Sequence, residues 1–554
     1  MQDRAVFYAM TDEDVLDHPW RTPEGGPGAA SRSLAPAIDA LPAGWARGEH
    51  GPWSIVAGPA PLPDDGWKIH VGATPDRACH VAGVVARLCT AQGVTWKVLR
   101  TARLVAMTQS KYAPRECSGK VCTIYPPDEP TLALLLEELT SRLRGEPASR
   151  VLGDIGDPDA PVSVRWGAFR VAWLRGPDGA PVPATRLPDG TVAHDVRVGA
   201  AHPLTLPDCV RRLSERSTRA DCRRTVPVTD VSLLVRHNSG AVYSATFEGR
   251  PVVLKEARLH CGYAGDGSDA VTRLRHEHEV LQRLSGHGVA PEPLAYLACG
   301  GSEFLVTERV SGEPLGRRVS ATGPTSWAPG DRAAADRYDA WSRLVLTDLE
   351  DVVRRMHDLG IVHGDLHPSN VIVTPDGTVR LVDLECASLD GRRVTQGGGS
   401  AGFTVPGAGP DRDLGALRRL GILLGTAAVV VLDRRPDLED VVRRSAAEDR
   451  AYAVSGVLPP VRSTGPSRED LVAGVVASAT PRRTDRLHPG SVAQLDTPGG
   501  GHGLWTGAAG VLLTLDAIGA PLPPEQLAWL AGTPVPTLAE HRGLAFGAEG
   551  VAYA

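Results

Sequence analysis

Alternation of apolar and polar positions organises the first third of the chain. In "GWKIHV" (66–71), Trp67, Ile69 and Val71 alternate with Lys68 and His70, which predicts a half-buried strand with Lys and His together on its polar face. "DRACHVAGVVARLCTAQG" follows with a helical apolar pattern, and "VTWKVLR" predicts a second strand with Trp96 and Val98 opposite Lys97. "SGKVCTIYP" predicts a third strand after a turn, "TLALLLEELTSRL" a helix, and "VSVRWGAF" (162–169) a strand holding Arg165 between apolar neighbours. Strand, helix and strand followed by more strands argue for an α+β unit.

Beyond residue 225 the pattern restarts. "VRHNSGAVYSATFEGRPVVLKEAR" predicts two or three antiparallel strands, with turns at Asn238-Ser239-Gly240 and Glu248-Gly249. The strand "VVLK" ends in Lys255, and the helix "VTRLRHEHEVLQRL" sets Val271, Leu274, Leu281 and Leu284 on one side. "FLVTERVSGEPL" predicts an apolar strand and then a hinge at Glu308 to Val310. Pro/Gly-rich breaks near 175–205 and 455–500 divide the chain into a first unit at 1–205, a second at 225–480 and a tail at 490–554.

Composition narrows the class. A chain of 554 residues with net charge -6 is large enough for several cores and has no general nucleic-acid-binding character. No run approaches the roughly 18 apolar residues of a membrane span, and the acidic N-terminus lacks a signal peptide's apolar core. Nine scattered cysteines fit a reducing compartment, so the expectation is a soluble cytoplasmic protein. Among 59 Lys and Arg residues only five are lysine: Lys68, Lys97, Lys111, Lys120 and Lys255. Lysine can release its proton and arginine cannot, so lysines kept in an arginine-rich chain are candidates for chemistry.

The second unit carries the strongest motif. In "IVHGDLHPSNVIV", Asp365 and Asn370 share a loop before an apolar strand, and Asp383 follows in "VRLVDLE". Phosphoryl transfer needs this set: one Asp for the attacking hydroxyl, and an Asn and a second Asp for Mg²⁺ on nucleotide phosphates. Lys255 braced by Glu277 would grip those phosphates. The stretch 225–430 resembles the protein-kinase-like superfamily, which implies a bilobal fold, ATP or GTP, and a hinge at Glu308 and Val310. It departs from typical protein kinases in having HGD, DLE and a phosphate loop with one glycine, Gly240. "GPDRDLGALRRLG" resembles the helix that anchors the catalytic loop, with Asp413 as its acid.

Four lysines remain in the first unit, with His70, Arg115 and Arg165. Crowded cations would hold a phosphate and lower the pKa of a lysine among them, and a histidine could protonate departing phosphate. That chemistry is β-elimination from phosphoserine or phosphothreonine. "WKIHVGATPDRA", "WKVLR", "SKYAP", "SGKVCTIYP" and "VRWGAF" resemble the phosphothreonine-lyase-like domain of class III and class IV lanthipeptide synthetases, where it precedes a kinase domain. The resemblance implies His70 as general acid, Lys68 polarising the substrate carbonyl and Lys97 as general base. It further implies phosphate binding by Lys111, Lys120 and Arg165, with Arg115 a further candidate.

The tail repeats Gly-Leu-x-x-Gly-Ala-x-Gly-Val at 503–511 and 543–551. The resemblance makes this the start of an α/α-toroid cyclase domain, incomplete here. Two repeats cannot close a toroid, so neither cyclisation nor zinc is expected, and a separate or missing cyclase domain is implied. The full expectation is a multidomain α+β dehydratase acting on a ribosomal precursor peptide with a leader, without nucleic-acid or membrane partners. The alternatives are a small-molecule or protein kinase with an N-terminal phosphate-binding module, and a pseudoenzyme scaffold. Class III versus class IV, and ATP versus GTP, stay open.

Overall fold

A computed structural model describes residue 34 and most of 41–553. Outside the described residues lie 1–33, 35–40, 176–180, 196–204, 222–225, 392–399, 456–466, 490–493, 495–499, 533–547 and the single positions 51, 112, 171, 265, 328, 329, 406, 434, 484, 485 and 554. Two compact units result, one within 25–459 and one within 460–554.

The larger unit opens with strands β1 (Ala46–His50), β2 (Trp53–Ala57) and β3 (Asp65–Val71). Helix α1 (Ala78–Gln92) follows and stops at Gly93, whose φ of 69° suits a residue without a Cβ. After β4 (Trp96–Leu99), helix α2 (Ala102–Thr108) and β5 (Cys122–Ile124), helix α3 (Glu129–Arg142) starts at Asp128, whose carboxylate accepts from the Thr131 N–H. Strands β6 (Ile155–Gly156) and β7 (Val162–Ala168) complete a seven-stranded sheet in the order β1-β2-β4-β5-β3-β7-β6.

Every pairing in that sheet is antiparallel. Strands β3 and β4 each run antiparallel to β5, which lies between them, so the strand–helix–strand stretch from β3 to β4 is a parallel crossover split by an inserted strand. Ile69, Val71, Trp96, Val98 and Ile124 pack on Val81 and Val85 of α1 and on Leu135 and Leu139 of α3, all buried. Each such side chain is worth about 1.5–3 kcal/mol of burial, and together they oblige Lys68, His70 and Lys97 to take the opposite face. A small three-stranded sheet, β8 (Trp173–Arg175), β9 (Pro181–Arg186) and β10 (Val192–His194), and helix α4 (Asp208–Asp221) follow.

The second half of this unit has two lobes. Its first lobe is a five-stranded antiparallel sheet, ordered β11-β12-β13-β15-β14, with helix α5 (Ala270–Leu284) inserted after β13. The strands are β11 (Thr229–His237), β12 (Gly240–Phe247), β13 (Arg250–Arg258), β14 (Pro293–Cys299) and β15 (Ser302–Glu308). The second lobe is built on helices α6 (Leu315–Thr322), α7 (Arg332–Asp358), α8 (Pro410–Leu423) and α9 (Glu439–Ser455). Short strands β16 (Glu313–Pro314), β17 (Ile361–Val362), β18 (Val371–Val373) and β19 (Val379–Leu381) carry the loops between them.

In the smaller unit, α10 (Arg468–Ala477), α11 (Ala508–Ala517) and α12 (Pro524–Ala531) share a core around Leu487, Leu512, Leu515 and Leu530. The sequence placed α10 before the boundary at 480, but its Val472 and Val476 pack on this later core. The first glycine motif is sterically required, since a Cβ on Gly510 would lie 1.9 Å from the Leu504 carbonyl oxygen. Residues 543–547 of the second motif, and most of the first 60 residues, lie outside the described residues.

Candidate active sites

The kinase-like site is assembled from five elements. Lys255 on β13 donates to Glu277 of α5 at 2.6 Å and to Asp383 at 3.0 Å. Glu277 also accepts the Leu384 N–H at 3.2 Å, which joins α5 to the loop after β19. Burial works against the Lys255 charge, yet Asp383 and Glu277 raise its pKa above the ordinary lysine range. Burial likewise opposes ionisation of Asp383, but Lys255 and Lys111 hold its carboxyl well below the usual range. Asp383 has φ 63°, a left-handed backbone uncommon for a residue with a side chain.

The loop carrying Asp365 and Asn370 is held by a buried carboxylate. Asp413 of α8 is fully buried and accepts from the N–H groups of His363 and Gly364 at 2.7 and 2.9 Å, and from His357 Nε2 at 2.9 Å. Gly364, where typical protein kinases have arginine, has φ 76°, and a Cβ there would meet the Cys386 carbonyl oxygen at 2.8 Å. Asn370 Nδ2 donates to the Asp365 carbonyl at 3.0 Å, which leaves its Oδ1 as the outward acceptor. Asp383 and Asn370 thus offer Mg²⁺ the oxygen donors it prefers. Burial raises the Asp365 pKa, as suits a proton acceptor. Glu308 ends β15 exposed, and Val310 follows in the connection to the second lobe.

A second cluster lies on the polar face of the seven-stranded sheet. Direct cross-strand partners share a face, and the register aligns Lys97, Thr123, His70 and Ser163 in one row over β4, β5, β3 and β7. Lys97 and His70 are two strands apart, about 10 Å. Lys68 pairs with Arg165 one step along the same face. Lys97 Nζ sits 4.4 Å from the Trp53 ring centre. Arg165 is buried and bonds Asp195 at 2.5 Å.

His70 is the pivot of this cluster. Its Nδ1–H donates to Asp154 Oδ2 at 2.6 Å, and Ser163 Oγ donates to the same oxygen at 2.9 Å. This fixes the ring and leaves Nε2 for a substrate. Burial lowers the His70 pKa to about 4, outweighing the Asp154 charge, and Lys120 and Arg165 add to the effect. The imidazole is therefore neutral at pH 7.

Lys111 and Arg115, which the sequence grouped with this cluster, are directed to the kinase-like half instead. Lys111 Nζ bonds Glu385 at 2.7 Å, two residues past Asp383. Arg115 donates to the carbonyls of His237 and Gly240, on the turn joining β11 and β12. Asn238 in that turn donates its N–H to the Lys111 carbonyl at 3.0 Å and its Nδ2 to the Ser110 carbonyl at 3.0 Å. The hydrogen bonds follow from where the loop after α2 docks, which no local sequence pattern encodes. Sequence reasoning also missed Asp154, Asp195 and Glu385, since each acquires its meaning from a partner far along the chain.

Comparison with known proteins agrees with this division. Residues 33–219 match the RamC N-terminal domain family, and residues 323–391 match the phosphotransferase enzyme family. The chain is 35% identical to the probable SapB synthase of Streptomyces coelicolor over 591 aligned residues, covering 95% of this chain and 63% of that protein. It therefore spans less than two thirds of that relative's length. Serine/threonine-protein kinase PknA of Mycobacterium tuberculosis is 28% identical over 228 residues, 36% of this chain and 49% of that kinase. The serine/threonine-protein kinase RqkA of Deinococcus radiodurans is 29% identical over 272 residues, 46% of this chain and 36% of its own. Among the described residues, no helix is long and apolar enough to cross a membrane. The chain thus joins a RamC-type N-terminal region to a kinase-like phosphotransferase domain.

Proposed function

We propose that this chain is a lanthipeptide dehydratase that phosphorylates Ser and Thr of a ribosomal precursor peptide and then eliminates the phosphate. The observation that carries the reading is the pairing of two sites within residues 25–459. One is a phosphoryl-transfer set; the other is a cation-lined sheet face whose histidine is locked by a buried carboxylate. The likeness to a SapB synthase supports the same assignment.

In the first reaction Asp365 accepts the proton of a peptide hydroxyl. The hydroxyl oxygen bonds the γ-phosphorus of ATP or GTP while the bridging oxygen leaves with the diphosphate. Lys255 holds the phosphates, and Asp383 and Asn370 would hold Mg²⁺, which when bound neutralises phosphate charge. In the second reaction Lys97 takes the α-proton of the phosphorylated residue, and Lys68 stabilises the negative charge developing on its carbonyl oxygen. The Cα=Cβ bond forms as the Cβ–O bond breaks, and phosphate leaves with a proton from His70. Lys120 and Arg165 flank His70 and bind the phosphate. The product is dehydroalanine or dehydrobutyrine. We assign the 460–554 unit to a cyclase-type region.

The test is mass spectrometry of the precursor peptide after incubation with the protein, ATP, GTP and Mg²⁺. Wild type should remove water, Lys97→Ala should leave phosphopeptide, and Asp365→Asn should leave the peptide unmodified. Accumulation of phosphopeptide with the wild type would reduce the sheet-face cluster to a binding module.

A further inference from the structure

The loop after α2 belongs by sequence to the N-terminal half, yet the Lys111 and Arg115 side chains and the Gln109, Ser110 and Lys111 carbonyls bond the kinase-like half. On one side it grips the β11–β12 turn, which in the kinase reading covers the nucleotide phosphates: Arg115 holds the His237 and Gly240 carbonyls, and Asn238 is bonded to Ser110 and Lys111. On the other side Lys111 reaches Glu385, on the turn that follows Asp383. Glu385 also accepts from Arg273 of α5 at 3.2 Å, so one carboxylate is tied to both the N-terminal half and the helix carrying Glu277. Neighbouring bonds bury the junction: the Gly262 N–H donates to the Gln109 carbonyl at 2.6 Å, and Arg258 reaches the Arg150 carbonyl at 2.5 Å.

The single glycine of the phosphate turn now has a physical reading. A glycine-rich lid is a flexible flap; this turn is clamped by a neighbouring loop and needs Gly240 only where a Cβ would lie 1.9 Å from the Glu256 carbonyl oxygen. Glu385 takes the place of the glycine in the usual DFG triplet and adds a carboxylate close enough to Asp383 to feel its charge. Left uncompensated, that carboxylate would repel the nucleotide phosphates and compete for their cation.

We propose that Lys111 is a positioning residue of the kinase site, supplied by the N-terminal half and acting through Glu385 to hold the metal-binding loop and neutralise its extra carboxylate. This rests on the kinase reading above. It makes phosphoryl transfer conditional on docking of the RamC-type region, and it removes Lys111 from the elimination pocket.

The experiment measures two reactions separately in the full chain: phosphorylation of the precursor peptide, and elimination from a synthetic phosphoserine peptide without nucleotide. Lys111→Ala should lower kcat of phosphorylation by about tenfold or more, with nucleotide KM within about twofold, and leave elimination unchanged. Adding Glu385→Gln to Lys111→Ala should restore most of kcat, a recovery that loss of docking alone would not give. Lys111→Gln, which keeps a polar side chain, serves as the second variant if the alanine form melts early. Loss of elimination with normal phosphorylation, no change in either reaction, or no recovery in the double variant would each overturn the proposal. If wild type phosphorylates no peptide, the dehydratase reading fails instead, and Lys111 is then judged on peptide-independent ATP hydrolysis by the same variants.

Discussion

A histidine only 3% exposed, with a carboxylate on one ring nitrogen and the charges of Lys120 and Arg165 acting on it, is poorly prepared to be an acid before substrate binds. Its pKa of about 4 lies below the 6.5 of a free histidine. The unfolded chain therefore binds a proton at higher pH than the folded one. The stability His70 contributes is present above about 6.5 and lost as pH falls through about 4. On the proposed dehydratase reading, a bound phosphate dianion would reverse the local balance, since it would offset Lys120 and Arg165 and lift the pKa in the complex. A general acid loses activity as pH rises through its pKa, so the falling limb of kcat for elimination should lie at least about one pH unit above that of kcat/KM. Asp154→Asn removes the charge that supports the imidazolium and should move the kcat limb to lower pH. Steady-state rates on a phosphoserine peptide from about pH 3 to about pH 9 check both statements; coincident limbs would take His70 out of the acid role.

At the scale of elements, the loop holding Asp365 depends on one buried carboxylate. Asp413→Ala would leave the buried His363 N–H and the half-buried Gly364 N–H without their acceptor, at about 1–3 kcal/mol for each. Urea denaturation should show a loss of about 3 kcal/mol, with phosphorylation impaired more than elimination. Equal impairment of both reactions would mean that the loop is not the element affected. The same scale shows what a sequence displays and what it hides. Asp365, Asn370 and Asp383 lie within one short stretch, and β3 and β4 announce themselves by period-two alternation, so both sites had visible anchors. Strand β14 begins at a proline and was missed, as were β1 and β2 in a Pro/Gly-rich stretch. Asp154 stands 84 residues from His70, and Glu385 stands 274 from Lys111, separations at which no pattern along the chain can pair residues.

Across the larger unit, the junction between its two halves is polar and buried, a costly combination to expose. Arg258 is 4% exposed and donates to Ser118 and the Asn238 and Arg150 carbonyls; Cys261 is 0% exposed and donates through its thiol to the Gln109 carbonyl. Gln109 in turn donates to the Ala73 carbonyl at 3.0 Å, on the segment just after β3. Separating the halves would return these groups to water together with the apolar surface around them, and each half would lose a wall of its fold. Residues 1–221 and 226–554, expressed as two chains, should therefore co-purify as one complex and retain phosphorylation. The 226–554 chain alone should melt at lower temperature and phosphorylate at least about tenfold more slowly, because the β11–β12 turn has lost Arg115 and Glu385 has lost Lys111. Size-exclusion chromatography and a peptide-phosphorylation assay read this directly. Two halves that elute apart, with full phosphorylation from the second alone, would make the junction a packing contact without consequence for the kinase site.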